Sequence, residues 1–308
     1  MQTSLNRVIM DRHENPSTDG FTGASSQRLK VHSWRPSLYG LALASVFKRG
    51  REATLPGVKL VRSSVRLDAA HISRYGSICG FEAEQGVPLT YPHILGFALQ
   101  MQLLTDKTFP WPALGLIHLS NTICQYARLD VGDLMEIEVA FGSLFQHRKG
   151  QAFAINTMIY SGDKLVWEGV STYLKRGVTS LGPPLDILQS VEEHDVSQMG
   201  LWPVPRNIGR RYGVVSGDLN PIHLSAFTAR CFGFPSAIAH GMWGLARSLA
   251  TLSPAHPLAK ATVQAEFKLP LALPSEVRLV CNPGNPRLFE VQNTRNGEPH
   301  LRGMFEFE

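Results

Sequence analysis

The sequence predicts an α+β protein made of two similar units in tandem, each with a buried helix followed by antiparallel strands. A Pro-His pair at residues 92–93 and an Ala-His pair at residues 239–240 each precede a strongly apolar stretch. Residues 129–139 and 272–280 also share a pattern, in which a turn leads into an alternating strand. Because these features recur in the same order, we expect a repeat of about one domain length.

The first fifty residues are expected to lie outside the repeated units. Residues 1–30 are rich in Ser, Thr, Asn, Asp, Gly and Gln and show little hydrophobic periodicity, which is typical of a disordered or loosely docked arm. Pro36 then opens a short apolar pattern that extends to Phe47. This pattern predicts a short helix, packed on the outside of the first unit.

The first unit is assigned to residues 51–177. Residues 58–67 alternate as a strand, and Asp68 is placed to cap a helix over residues 69–76. Residues 94–104 are strongly apolar, with the spacing of a buried helix. Further strands of this unit are expected at residues 116–126, 150–160 and 164–175, and residues 129–139 are expected to form a turn followed by a strand.

Residues 178–206 are expected to link the two units, because they combine two adjacent prolines, a polar run and a Trp-Pro-Val-Pro segment. The second unit is assigned to residues 207–308. Its strands are expected at residues 261–268, 276–281, 287–293 and 300–307.

A potential acid/base pair opens the second unit. The segment Tyr-Gly-Val-Val-Ser-Gly-Asp-Leu-Asn-Pro-Ile-His, which ends at residue 223, places the Asp218 carboxylate five residues before the His223 imidazole. Gly217 and Pro221 disfavour a regular helix there, and Asp-x-Asn-Pro is strong turn chemistry. We therefore expect the two side chains to meet on a loop.

Two helices are expected after this loop. The first is short and ends at Gly233, and the second begins near Ala239-His240-Gly241-Met242. The first N–H groups of a helix have no acceptor within it, and a glycine there lets a ligand approach closely.

The two blocks resemble the signature of the (R)-specific enoyl-thioester hydratases, also called hydratase 2 or MaoC-like dehydratases. The first block is complete: it comprises Tyr212, Ser216-Gly217-Asp218, Asn220-Pro221-Ile222-His223 and Ala229. The second block, Ala239-His240-Gly241-Met242, follows at the expected distance. The resemblance covers roughly the C-terminal third of the chain. It implies a hot-dog fold, a curved antiparallel sheet wrapped around a long central helix, here in double form.

The resemblance also implies roles for individual residues. Asp218 and His223 would be the catalytic pair, and the Gly241 N–H would donate to an oxyanion. The residues assigned to the substrate pocket or its immediate support are Asn220, Ser216, Tyr212, His240 and Met242. For His240, a local hydrogen bond at the helix start is favoured over a direct chemical role.

The implied reaction is the reversible hydration of trans-2-enoyl thioesters to (R)-3-hydroxyacyl thioesters, with no metal or other cofactor. One alternative is a dehydratase that acts on intermediates bound to an acyl carrier protein during fatty-acid or polyketide synthesis. Others are a hot-dog thioesterase, which would not need this Asp-x-Asn-Pro-x-His arrangement, and a catalytically silent acyl-binding protein.

The first unit lacks the acid/base motif, so one active site per chain is expected. In double members of the resembled family, the unit without the motif generally shapes the acyl tunnel. His93 with Tyr91 could mimic a site in this unit, but there is no local Asp partner. We therefore favour a packing role for His93.

Composition narrows the partners and the compartment. The formal net charge of +5 comes from scattered basic residues, which suits the phosphates of coenzyme A or an acidic carrier protein better than nucleic acid. Four widely spaced cysteines predict buried, reduced thiols without a zinc site. The early apolar stretch is too short to span a bilayer, and no secretory signal is expected. We expect a soluble cytoplasmic protein, either a monomer or a homodimer of double units.

Overall fold

The computed structural model describes residues 25–27, 45, 48, 54–185, 188 and 196–308. Most of the arm expected over residues 1–50, and nearly all of the helix expected after Pro36, lie outside the described residues. Within the arm, strand β1 (Ser25–Gln27) pairs in parallel with the start of β2 (Val58–Arg66).

The N-terminal half runs as one strand, two helices and four strands. Asp68 caps the first helix by accepting a hydrogen bond from the His71 N–H at 2.7 Å, as the sequence predicts. After β2 come α1 (Ala69–Cys79), α2 (Tyr91–Thr105), β3 (Ile117–Gln125), β4 (Leu134–His147), β5 (Gly150–Ser161) and β6 (Lys164–Arg176), with a 3₁₀ turn at Ala83–Gln85.

The C-terminal half repeats this plan, with two short helices added before its long one. Its elements are β7 (Ser197–Val204), α3 (Ile208–Ser216), α4 (Pro221–Leu224), α5 (Ala226–Arg230), α6 (Gly241–Leu252), β8 (Ala261–Phe267), β9 (Ser275–Cys281), β10 (Arg287–Asn293) and β11 (Pro299–Phe307). The predicted strands of both halves are therefore confirmed, although β4 extends eight residues beyond its predicted end at residue 139.

All the described strands form one sheet, in the order β1-β2-β4-β5-β6-β3-β8-β11-β10-β9-β7. Apart from β1, corresponding strands of the two halves occupy mirrored places in this order. The halves join where β3 pairs antiparallel with β8, with Asn121 opposite Ala265. The predicted repeat is thus visible in the strand order, and the α+β class is confirmed.

Each half packs a long helix on its strands. In the N-terminal half α2 contacts β2, β4 and β5, and in the C-terminal half α6 contacts β7 and β11. Leu99 and Leu103 of α2 and Leu245 and Leu249 of α6 are fully buried in these layers. Burial of each such side chain is worth about 1.5–3 kcal/mol, so the two helices anchor the core.

The C-terminal part of the segment that was expected to link the two units forms a strand. Residues 197–204 form β7, which pairs antiparallel with β9 at the sheet edge. Trp202 and Val204 are buried and Leu201 is exposed, which is the alternation of a strand with one covered face. Pro203 is tolerated because an edge strand has one side free of ladder hydrogen bonds.

The expectation for the cysteines is met in part. Cys79, Cys124 and Cys281 are free and buried as predicted, but Cys231 is exposed, because it lies just beyond the short surface helix α5. In the part of the chain that the structure describes, no helix has both the length and the apolar character needed to cross a membrane.

Candidate active site

The loop that carries Asp218 and His223 lies directly on the backbone of α3. A methyl group built on Gly209 would stand 2.1 Å from the His223 carbonyl oxygen, and one built on Gly213 would stand 2.7 Å from the Asp218 carbonyl oxygen. Neither distance is possible for a real side chain. The two glycines therefore form a bare surface of α3 on which the loop rests.

Local turn chemistry sets the shape of this loop. Gly217 ends α3 with a left-handed φ of 78°, and Ser216 Oγ accepts a hydrogen bond from the Asp218 N–H at 3.2 Å. Asp218 Oδ1 accepts from the Asn220 N–H at 3.1 Å, and Asn220 Oδ1 accepts from the Ile222 N–H at 3.4 Å. Each polar side chain thus holds the next residues of the turn.

His223 lies in the one-turn helix α4, whereas the sequence predicted a loop position. Asn220 caps that helix, and Pro221 occupies its first turn, where a missing N–H costs no hydrogen bond. The loop prediction was right for Asp218 and wrong for His223, because a single capped turn leaves no periodic signal in the sequence.

One hydrogen bond fixes the protonation pattern of His223. Its Nδ1 lies 2.8 Å from the Ile238 carbonyl oxygen, which can only accept, so Nδ1 carries the proton. Burial lowers the pKa of His223, while the Asp218 carboxylate raises it to a smaller extent. The imidazole is therefore neutral at neutral pH, with a lone pair on Nε2.

His240 packs against both members of the predicted pair. Its ring stacks on that of His223 with centroids 3.6 Å apart, and its Nε2 donates to the Asp218 carbonyl oxygen at 2.9 Å. The same nitrogen lies 3.7 Å from Asp218 Oδ2. Burial, with His223 nearby, lowers the pKa of His240 to about 3. The expected hydrogen bond of His240 is present, but its partner is not local, because Asp218 lies 22 positions earlier in the chain.

Gly241 follows His240 as the first residue of α6. Gly241 is exposed, although His240 and Met242 on either side are buried, and its N–H has no acceptor among the described residues. A methyl group on Gly241 would stand 2.5 Å from the ring of Phe267. The structure thus offers an unpaired N–H on an exposed residue at a helix start, with an aromatic ring against the same backbone.

The other residues predicted for the pocket mostly face protein. Ser216 and Met242 are buried, and Tyr212 packs its ring 5.0 Å from that of His240. Asn220 uses its side-chain oxygen to cap α4. These contacts place the four residues in the support of the Asp218–His223 loop and of the α6 start.

Three residues of the N-terminal half, which the sequence did not group with the site, come under the electrostatic influence of Asp218. His93 at the start of α2, His118 of β3 and Tyr173 of β6 all feel the charge of Asp218, which raises the pKa of each of them, although burial is the larger influence. Burial raises the tyrosine pKa and lowers that of the histidines. A signal existed, because residues 92–93 echo residues 239–240, but the carboxylate partner lies 125 positions from His93 in the chain.

Asp218, His223 and His240 are also the described residues whose side chains could together hold a metal ion, with ligand atoms within 4.8 Å of one another. His223 Nδ1 and His240 Nε2 already donate to carbonyl groups. This leaves one lone-pair nitrogen on each ring besides the carboxylate.

The chain is similar to known proteins over most of its length. Residues 195–269 match the model of the MaoC like domain. The 3-hydroxyacyl-thioester dehydratase X of Mycobacterium tuberculosis is 34% identical over 253 residues, which cover 82% of this chain and 90% of the relative. The matched model begins just before β7, within the segment expected to be a linker.

Solved structures are similar as well. The crystal structure of HtdX from Mycobacterium tuberculosis has a TM-score of 0.69 and 29% identity, over 81% of this chain and all of that one. A MaoC-like dehydratase from Phytophthora capsici has a TM-score of 0.69 and 16% identity, over 86% of this chain and 96% of that one. These similarities confirm the expected hot-dog fold.

Proposed function

Since this chain belongs to the family of MaoC-like dehydratases, we propose that it interconverts (R)-3-hydroxyacyl thioesters and trans-2-enoyl thioesters by removing or adding water. The observation that carries this proposal is the grouping of a carboxylate, a neutral imidazole and an unpaired helix-start N–H. Asp218, His223 and Gly241 supply these three groups.

The site must stabilise the negative charge that develops on the thioester oxygen during the reaction. In the hydration direction, the water oxygen forms a bond to C3 and the electrons of the double bond move to the thioester oxygen, giving an enolate. His223 Nε2 carries a lone pair and accepts the proton of the attacking water. Asp218 orients that water and stabilises the imidazolium that forms.

Collapse of the enolate completes the addition. The imidazolium of His223 returns its proton to C2 on the same face, so the pair ends as it began. The Gly241 N–H donates to the enolate oxygen, and one such donor is worth about 3 kcal/mol in other enzymes. The positive end of the α6 dipole favours the same charge. Only water and protons move, so the reaction itself requires no electron carrier.

The remaining site residues are assigned supporting roles. Ser216 and Asn220 hold the turn around Asp218 through their hydrogen bonds. His240 ties the start of α6 to the Asp218 carbonyl, and Tyr212 packs behind it. Met242, which is buried next to Gly241, is assigned to the wall of the pocket. Of the possible thiol carriers, the +5 net charge fits the phosphates of coenzyme A and an acidic carrier protein equally well.

The test follows the enoyl-thioester absorbance after addition of purified protein to trans-2-enoyl-CoA substrates of short and long chain. The Asp218→Asn and His223→Gln variants are expected to lose about 10²-fold or more in turnover, as is usual when a positioned acid/base group is removed. Near-normal turnover in either variant would refute the assigned roles. Release of free thiol instead of loss of the enoyl group would identify a thioesterase.

A second experiment separates the thiol carriers. Holo acyl carrier protein is added as a competitor in the enoyl-CoA assay. If carrier-bound acyl groups are the physiological substrates, it should inhibit at concentrations where the apo carrier does not. Equal effects of the holo and apo forms would support coenzyme A thioesters.

A further inference from the structure

The start of α2 in the N-terminal half holds a histidine that the reaction above does not use. His93 is the third residue of α2, close to the position that His240 and Gly241 occupy at the start of α6 in the repeat. Its side chain is 4% exposed, and its ring stacks on that of His118 with centroids 6.3 Å apart.

A chain of ring contacts connects His93 with the proposed site. The ring of His118 lies 4.8 Å from that of Phe267, and Phe267 packs against Gly241, the proposed oxyanion donor. The Asp218 carboxylate is the charged group that acts on His93, and it raises the pKa of the imidazole. Burial acts more strongly in the other direction and lowers that pKa to about 4, so His93 is neutral at neutral pH.

The ring nitrogens of His93 are less enclosed by protein than those of His118 and His240. His118 Nε2 and His240 Nδ1 are sealed inside the protein without a hydrogen bond. Neither nitrogen of His93 is sealed in this way, and neither bonds to a described residue. A buried polar side chain without a partner is destabilising and uncommon, unless water or a ligand supplies the missing hydrogen bond. The ring of His93 therefore has hydrogen-bonding capacity that the described residues do not use.

We propose that His93 is a substrate-positioning residue, which hydrogen bonds an oxygen of the acyl thioester bound beside Asp218. This inference rests on the proposed function. A neutral imidazole offers one donor and one acceptor, so it suits a carbonyl or a hydroxyl group equally well. The half without the catalytic motif then contributes a polar contact to the active site, in addition to apolar walls.

The test compares three variants of the full chain. His93→Leu removes the hydrogen-bonding group, and His93→Gln retains one. His300→Leu is the control, because it also removes a histidine with an unpartnered ring nitrogen, and the carboxylate that influences His300 is Glu298, not Asp218. Each is assayed for turnover of trans-2-enoyl-CoA, for binding of a saturated acyl-CoA by calorimetry, and for thermal stability.

The proposal predicts opposite signs for stability and binding in His93→Leu. The thermal midpoint should stay unchanged or rise, because an unpaired buried polar group has been removed. The Kd of the saturated acyl-CoA and the KM should both rise about tenfold, as for loss of one buried hydrogen bond. His93→Gln should stay within about threefold of the wild type, and His300→Leu should leave both constants unchanged.

Three outcomes overturn the proposal. One is wild-type Kd and KM in His93→Leu. Another is a lowered thermal midpoint together with weakened binding that His93→Gln fails to restore, because that pattern identifies a packing role. The third is a wild-type protein that binds no acyl thioester. If the wild type binds the saturated acyl-CoA but turns over no enoyl thioester, the proposed reaction is refuted. The role of His93 is then decided by the Kd of His93→Leu for the saturated acyl-CoA, compared with that of the wild type.

Discussion

Replacing Gly209 by alanine should disable the site without touching a reacting group. The new methyl group would stand 2.1 Å from the carbonyl oxygen of His223. Ordinary van der Waals contact begins at 3.4 Å, so that oxygen must retreat by roughly 1.3 Å, and the imidazole must move with its backbone. A displacement of about 1 Å from the reactive geometry can cost about 10²-fold in rate, so we expect kcat to fall by about that factor.

Stability should change far less than activity in this variant. Overpacking costs about 1–3 kcal/mol, but alanine is a better helix former than glycine by about 1 kcal/mol, and the two effects partly cancel. The assay is loss of enoyl-thioester absorbance under saturating substrate, with thermal unfolding measured in parallel. The expected result is a folded protein with an unchanged substrate preference and a strongly reduced kcat.

The matched control is Gly76→Ala in α1, the corresponding helix of the N-terminal half. A methyl group on Gly76 would stand 3.6 Å from the Phe81 carbonyl oxygen, which is ordinary contact. This variant should keep wild-type kcat. If Gly209→Ala also keeps kcat within about threefold while remaining folded, then the loop does not depend on the bare surface of α3 and the reasoning is wrong.

Two other predictions follow from the structure. Gly241→Ala should lower kcat about tenfold, because its methyl group would stand 2.5 Å from the Phe267 ring. Adding Phe267→Leu to this variant should restore part of the lost kcat. If the effects of the two substitutions are simply additive, the contact between them is contradicted. The free energy of unfolding should fall as the pH drops from about 6.5 towards 4, because histidines that burial keeps neutral in the folded protein become protonated in the unfolded chain. Burial lowers the pKa of His93 to about 4 and that of His118 to about 3. The loss is up to about 1.4 kcal/mol per pH unit for each histidine, and equal urea midpoints at pH 7 and pH 5 would rule it out.

Much of the fold was readable because its signals are local. Alternation of apolar and polar residues placed β5, β6, β8 and β10 to within a residue or two at each end, and one capping aspartate placed the start of α1. The first strand of the C-terminal half was missed for the opposite reason. In β7, Pro203 and the following Pro205 dominate the local pattern, and only pairing with β9 makes the segment a strand.

The site was predictable as far as it is contiguous in sequence. The motif located Asp218 and His223, and the glycine of the second block located the start of α6. The stacking of His240 on His223 and the hydrogen bond of His223 to Ile238 depend on how the chain returns after α5. Contacts of this kind leave no periodicity and no spacing rule, so only the folded chain reveals them.

The repeat explains why only one half of the chain carries the proposed acid/base pair. Both α1 and α3 contain Arg-Tyr-Gly and end on a left-handed glycine, Gly80 in the first and Gly217 in the second. Aligned on these residues, Ile72 replaces Gly209, and Phe81 and Gly86 stand at the positions of the acid/base pair.

The N-terminal half therefore lacks both the acid/base pair and the bare helix surface on which the loop with that pair rests. The buried side chain of Ile72 covers the surface of α1 that corresponds to the bare surface of α3. The loop after α1 also lies about 1 Å farther from its helix. A methyl group built on Gly76 would stand 3.6 Å from the Phe81 carbonyl oxygen, whereas one built on Gly213 would stand 2.7 Å from the Asp218 carbonyl oxygen. Restoring the carboxylate and the imidazole alone would leave them misplaced. The N-terminal half keeps the scaffold without the motif, and His93 is the side chain through which it is proposed to serve the site of the other half.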